Sequence, residues 1–292
     1  MTPQIYYALP FVDYCALYAV NNSLLKVLDV SPAALVAHLR TGVEDRDTLR
    51  YGRLFHTLVL EPERFEADYA LYHGSRRAGK EWLEFEAVHA ARTIIPVGTD
   101  ASAATMASMM SMADAVRAYA PAAEVLDGAD TEVTIIWTDP ETGIVCKARP
   151  DIIGNGTLAD LKKTRSTVER RFSAQAADLG YFEQLAFYRR SIVHGLGWTP
   201  KRVCFIAAED AAPHEPAVFD VDADTLDAAD KRVSARLRRL AECRDSGAWP
   251  GRHASPVALT APRWWLGTPE TDPTRDEAAR LAAQYASGDY DV

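Results

Sequence analysis

Apolar residues recur along this chain with two different periods, and the change between them divides it. Up to about residue 120 the spacing is helical, with apolar side chains returning every three or four positions. Asn22-Ser23 predicts a cap for a helix over 24–28, and Ser31-Pro32 opens a second over 32–40, because proline fits the first helical turn. A polar loop over 41–48 leads to a helix over 49–60, whose Leu, Phe and Val positions predict burial, stopped by Pro62. Further helices are expected over 81–92 and 100–119; the second carries Met106, Met109, Met110 and Met112, a stripe suited to core packing. Residues 1–22 read as aromatic-rich and irregular, and 69–72 as a poor buried strand.

From residue 131 the period falls to two, the mark of strands. Strands are expected over 131–137, 144–153 and 157–163, joined by the turns Asp139-Pro140-Glu141-Thr142-Gly143 and Asn155-Gly156. Asn-Gly favours a type I′ two-residue turn. If it is the loop, Gly154 faces Thr157, Asp151 lies opposite Asp160, and Arg149 lies opposite Lys162. If Trp137 faces Ile144, Glu132 falls opposite Arg149, and a three-stranded antiparallel meander carries Glu132, Arg149, Asp151, Asp160 and Lys162 on one face. A helix over 172–194 follows, with Gln184 and Tyr188 four apart and therefore on one face. Strands over 203–208 and 217–221 and a basic-faced amphipathic helix over 223–243 complete the pattern. The expectation is one α/β domain of α+β character over 1–270, mainly helical over 1–120 and built of sheet and helices over 121–270, with 271–292 as a disordered acidic tail.

Composition narrows the classes. A hydrophobic content of 48% supports a substantial core, and no apolar run reaches the ~18 residues of a membrane span. The first residues lack the basic and apolar regions of a signal peptide, so a cytoplasmic protein without membrane partners is expected. Four scattered cysteines (Cys15, Cys146, Cys204, Cys243) argue against a zinc ribbon or an iron–sulfur cluster. A net charge of -9 gives no bulk support to nucleic-acid binding, but phosphate contacts need only a local basic surface. Basic residues do cluster, at Arg76, Arg77 and Lys80, and at Arg149, Lys162, Lys163 and Arg165. Gly74 to Lys80 approaches a phosphate-binding loop, yet Glu81 stands where a magnesium-binding hydroxyl belongs, so the stretch reads as a basic loop before a helix.

Like charges directly opposite each other destabilise a sheet, and a divalent cation between Asp151 and Asp160 is the simplest compensation. Two carboxylates and a backbone carbonyl are hard oxygen donors, suited to Mg²⁺ or Mn²⁺. A cation there would supply Lewis-acid activation of water and of a phosphoryl oxygen. Lys162 could orient the water or stabilise developing charge. The plainer reading is a solvated face on which Asp151 pairs with Arg149 or Lys162. On its own, His56 among Phe55, Leu58 and Val59 reads as a satisfied core histidine.

Arg149-Pro150-Asp151 followed by Asp160-Leu161-Lys162 resembles the signature of PD-(D/E)XK nucleases, and within them the RecE-type (exonuclease VIII) members of the RecB-like group. The stretch Gly52 to Pro62 is similar to the family's histidine motif, Arg77-Ala78-Gly79-Lys80 to its basic loop, and Gln184 with Tyr188 to its Q-x-x-x-Y element. The resemblance implies a restriction-endonuclease-like core with a central mixed sheet flanked by helices and an N-terminal helical region. It implies metal ligation by His56, Asp151, Asp160 and the Leu161 carbonyl, with Asp151, Asp160 and Lys162 as the catalytic set. Gln184, Tyr188, Arg149 and Lys163 would face DNA; Glu132 lies on the right face without a firm family role. The implied activity is Mg²⁺-dependent exonuclease digestion of linear double-stranded DNA from its ends, 5′→3′, leaving 3′ single strands for recombination. A ring-shaped homo-oligomer, a phage or bacterial origin and a single-strand annealing partner belong to the same implication. The alternatives are a structure-specific endonuclease of the same superfamily and a non-catalytic DNA-binding module.

Overall fold

A computed structural model describes residues 2–41, 47–253, 255–262 and 265–266. The expected tail at 271–292 lies outside the described residues. The chain divides after Gly251 into two compact units, and the first holds every helix and strand found among the described residues.

In chain order this unit opens with β1 (Gln4–Tyr6), α1 (Phe11–Ala16), α2 (Asn22–Val27), α3 (Pro32–Thr41) and α4 (Asp47–Leu60). After a 3-10 turn come α5 (Phe65–Asp68), β2 (Tyr69–Tyr72), α6 (Lys80–Val88), β3 (Thr93–Pro96), α7 (Asp100–Ala118) and α8 (Ala120–Leu126). The sheet region holds β4 (Asp130–Thr131), β5 (Thr134–Thr138), β6 (Val145–Ala148), β7 (Ile152–Gly154) and β8 (Thr157–Thr164). It is followed by α9 (Glu169–Leu179), α10 (Tyr181–Ser191), β9 (Arg202–Glu209), β10 (Pro216–Asp220) and α11 (Ala223–Ser246). The expected helices at 24–28 and 32–40 exist, the first capped by Asn21 rather than Asn22, since its side chain accepts from the Leu24 N–H.

Three expectations are corrected. Residues 69–72 form a largely buried strand, because β2 pairs in parallel with β3 and the pair shields both. The helix expected over 172–194 is two helices, broken at Gly180, whose φ of 69° no helix tolerates. The three-stranded meander is also not one sheet. A mixed five-stranded sheet runs in the order β10-β9-β8-β7-β4, while β1-β5-β6 form a separate three-stranded sheet.

The division has a local cause. The ribbon that leaves the five-stranded sheet as β4 and β7 enters the smaller sheet as β5 and β6, and both its strands bend at the same place. On one strand Glu132 takes φ 52°; on the other lie Arg149, Pro150 and Asp151. Pro150 has no N–H to give a ladder, so pairing stops there. The Glu132 N–H donates to the Asp151 carbonyl at 3.0 Å, which ties the two bends together. Beyond the bend Trp137 pairs with Cys146, two residues from the expected Ile144. The Asn155-Gly156 register is as expected: both residues have positive φ, and Gly154 pairs with Thr157.

Two apolar layers cover the sheets. One contains Leu25, Trp137, Leu158, Leu185, Phe187 and Phe205; the other contains Leu54, Phe55, Met112, Val116, Leu161 and Ile206. Along β8, Leu158 and Leu161 are wholly buried, each worth about 1.5–3 kcal/mol of transfer free energy. Alternation then sends Asp160 and Lys162 to the Leu158 side, where α10 lies, and Leu161 to the side of α4 and α7.

Candidate active site

Four elements converge at the bend. On α4, Leu54, Phe55, Leu58 and Val59 enter the core, which leaves His56 at the margin, about a quarter exposed. Its Nδ1 lies 3.5 Å from Glu132 Oε1 and 3.6 Å from Asp151 Oδ2. Potential donor atoms of His56, Glu132 and Asp151 all fall within 4.8 Å of one another. His56 and Asp151 are therefore brought together, and Glu132 completes the cluster; Asp160 is not in that mutually close set. The left-handed φ of Glu132, uncommon outside glycine, has no signature in the sequence beyond the strand face that nominated it.

Asp151 stands one residue before β7, and its Oδ2 accepts the Leu161 N–H at 2.7 Å. Extended by one pair, the β7–β8 register sets Asp151 beside Asp160; by two, it sets Pro150 beside Leu161. A strand residue's N–H and C=O point to the same side, so the Leu161 carbonyl faces a proline that has no N–H to offer it. No N–H of that strand therefore stands opposite this carbonyl.

Asp160 is fully buried and paired with Lys162, whose Nζ lies 2.5 Å from its Oδ2, while its Oδ1 has no protein hydrogen-bond partner. A buried oxygen left without a partner is costly, and a second cation at Oδ1 would complete it. Together with Asp151, Glu132, the Leu161 carbonyl and an imidazole, the donors are mostly hard oxygen, and they fit a divalent cation of the Mg²⁺ or Mn²⁺ type.

Lys162 is held from three sides. Besides Asp160, it donates to Gln184 Oε1 at 3.1 Å, and its ammonium sits 4.6 Å from the centre of the Tyr181 ring. Gln184 in turn donates to the Tyr188 hydroxyl at 2.8 Å. Gln184 and Tyr188 thus form a chain that fixes the lysine. Tyr181 escaped the sequence reading, although its place one turn before Gln184 put it on the same helix face.

Arg149 and Lys163 take different positions. Arg149 is only 7% exposed; it donates to Glu132 Oε2 at 2.5 Å and to the Leu9 carbonyl at 2.6 Å, so its guanidinium holds the bend rather than facing outward. Lys163 lies on the opposite face of β8 from Lys162 and pairs with Asp210 at 3.5 Å.

The electrostatics follow from burial and crowding. Burial favours the neutral form of Asp151, and Asp160 and Glu132 add to this against the pull of His56, so its carboxyl is pushed up to about 8. Burial opposes the charge on His56, but Asp151 and the hydrogen bond with Glu132 overcome it and raise the imidazole to about 9. Glu132 is held below the usual carboxylate range: burial works against this, but His56 and Arg149 outweigh it. Lys162 is raised despite its burial, by Asp160 and Asp151.

Residues 21–256 match the model of a family described as a PDDEXK-like domain of unknown function (DUF3799). No curated protein matches the sequence. Among solved structures, a candidate exonuclease from Eubacterium rectale is 14% identical; the alignment covers 90% of this chain and 99% of that one, with a TM-score of 0.58. An alkaline exonuclease from Laribacter hongkongensis is 13% identical over 80% of this chain and 95% of its own, with a TM-score of 0.30. The first shares the fold; the second is too distant in shape to add to it.

Proposed function

The chain belongs to the PDDEXK-like family DUF3799, and on that premise we propose that it is a divalent-metal-dependent nuclease that hydrolyses phosphodiester bonds of DNA. The observation that carries this reading is the buried Asp160 carboxylate, paired with an ammonium held by three partners and adjoining the cluster of His56, Glu132 and Asp151. His56, Asp151, Asp160 and the Leu161 carbonyl would hold the cation, with Glu132 as a further ligand. The cation, Mg²⁺ or Mn²⁺, would activate water and polarise the phosphoryl oxygen. Lys162 is placed to stabilise negative charge on the phosphoryl group as it develops, and its fixed position means that no rearrangement is needed at that moment. Gln184, Tyr188 and Tyr181 set its direction.

Within this reading we place the chain with the RecE-type exonucleases, acting 5′→3′ from the ends of linear duplexes and leaving 3′ single strands for recombination. The motif pattern supports that placement, and the name of the Eubacterium rectale structure agrees with exonuclease action. A ring-shaped homo-oligomer and a single-strand annealing partner go with it. The test is digestion of a 5′-phosphorylated linear duplex with Mg²⁺, with closed circular DNA in parallel. Wild type should degrade the linear DNA and spare the circle, while Asp160→Asn and Lys162→Ala should leave both intact. An intact linear duplex with wild type, or variants as active as wild type, would sink the proposal; a nicked circle would make the enzyme an endonuclease.

A further inference from the structure

Residues 5–18 lie ahead of the segment that the family model matches, and they expose large apolar side chains in unusual density. Tyr7 is 60% exposed, Phe11 46% and Tyr18 100%, with Tyr6 and Val12 beside them. Solvated rings on a loose segment would be unremarkable, but this backbone is pinned. Lys147, buried in β6, donates to the carbonyls of Tyr14, Cys15 and Leu17 at 2.8, 3.2 and 2.9 Å. Val20 bonds to β6 in both directions, through the Val145 carbonyl and the Lys147 N–H. Tyr18 therefore stands between two anchored residues with its ring wholly in solvent. Leu9 is anchored as well, by Arg149.

The anchors join the arm to the site. Arg149 grips the Leu9 carbonyl with one nitrogen and Glu132 of the carboxylate cluster with another. Arg53, one helical turn before His56, lies 5.5 Å from the centre of the Phe11 ring. The arm carries a single charged residue, the carboxylate Asp13, and Arg53 stands against its Phe11 ring, so a phosphate chain meets little net charge there. Exposed aromatic rings on an anchored backbone suit nucleobases, whose π-faces are available whatever the sequence.

We propose that this N-terminal arm is a base-stacking platform that receives the unpaired bases of a DNA end beside the carboxylate cluster. The inference rests on the nuclease reading but is tested apart from it. A duplex with a short single-stranded tail carrying 2-aminopurine is titrated with Lys162→Ala protein in Mg²⁺, and with wild type in EDTA. Stacking should alter the fluorescence of the tail. Tyr7→Ala, Phe11→Ala and Tyr18→Ala, added singly, should weaken binding of the tailed duplex by about 5- to 150-fold where a base is stacked. The salt dependence should stay the same, because no phosphate contact is removed. If all three variants bind the tail as tightly as their parent, the platform is overturned, even where wild type digests DNA. If instead they change the sedimentation coefficient and not DNA binding, the surface joins copies of the chain and the proposal also fails. A stacking signal from a wild type that cleaves nothing would sink the nuclease reading and leave the platform standing.

Discussion

Binding of a divalent cation at the carboxylate cluster should expel protons at neutral pH. In the metal-free protein the imidazole of His56 is raised to about 9 and the carboxyl of Asp151 to about 8. Both must be deprotonated to act as ligands. The two groups share one cluster and titrate as a pair, so the number released should lie between about one and two. Apparent affinity for Mn²⁺ or Mg²⁺ should accordingly rise about 10- to 100-fold per pH unit between about 6 and 8. Calorimetry in buffers of different ionisation enthalpy measures the release directly, as the slope of observed enthalpy against buffer enthalpy. A slope of zero at pH 7 would refute the reasoning, because both groups would then already be deprotonated. The same shifts govern stability without metal. Folded Asp151 keeps a proton that the unfolded chain loses above about 3.8, so its burial penalty grows as pH rises toward 8. Folded His56 keeps its proton above 6.5, and the stability this contributes is complete below that pH and lost toward 9. Both act in one direction, so metal-free protein should melt at a higher temperature at pH 5 than at pH 8, and saturating Mg²⁺ should narrow the difference.

Lys162→Ala should lower single-turnover cleavage by at least about 100-fold, as expected for loss of a fixed charge aimed at the transition state. It should also lower the melting temperature, since it strands the buried Asp160 carboxylate; unchanged cleavage would refute the role. Gln184→Ala removes only one of the three supports of Lys162, so quench-flow should show a smaller loss of rate than Lys162→Ala, and an equal loss would mean that Gln184 itself touches the substrate. Glu132→Gln keeps an acceptor for Arg149 while removing a charge from the cluster. Metal affinity by calorimetry should fall about 10- to 100-fold with little change in melting, and unaltered affinity would exclude Glu132 as a ligand. Lys147→Met leaves three carbonyls of the arm without their donor, at about 1–3 kcal/mol, and amide exchange should accelerate across residues 9–20 but not in β8.

Local chemistry carried much of the site into the sequence. Asn155-Gly156 dictates a turn with two positive φ angles, and that turn fixes which residue of β7 faces which of β8, so the opposition of Asp151 and Asp160 was legible from spacing. Alternation alone put Lys162 on the face of Asp160 and Leu161 in the core. Helical spacing placed Gln184 and Tyr188 together. What spacing could not carry was the bend. The strand expected over 144–153 holds no signal that it serves two sheets except Pro150, and Glu132 is an ordinary strand residue until its φ of 52° is seen. Contacts between residues far apart in the chain were likewise beyond reach. His56 reads as core packing within its own helix, and only the fold brings α4 to the point where β7 stops, 3.6 Å from Asp151. Arg149 looked like a cation for phosphate, and the N-terminal arm turned it inward by offering it the Leu9 carbonyl. The chain's own pattern thus determined the register at Asn155-Gly156, the faces of β8 and the nearness of Asp151, Asp160 and Lys162, because these depend on neighbours a few residues apart. The tertiary structure decided which distant side chains complete the cluster, because that depends on where strands stop and helices cross.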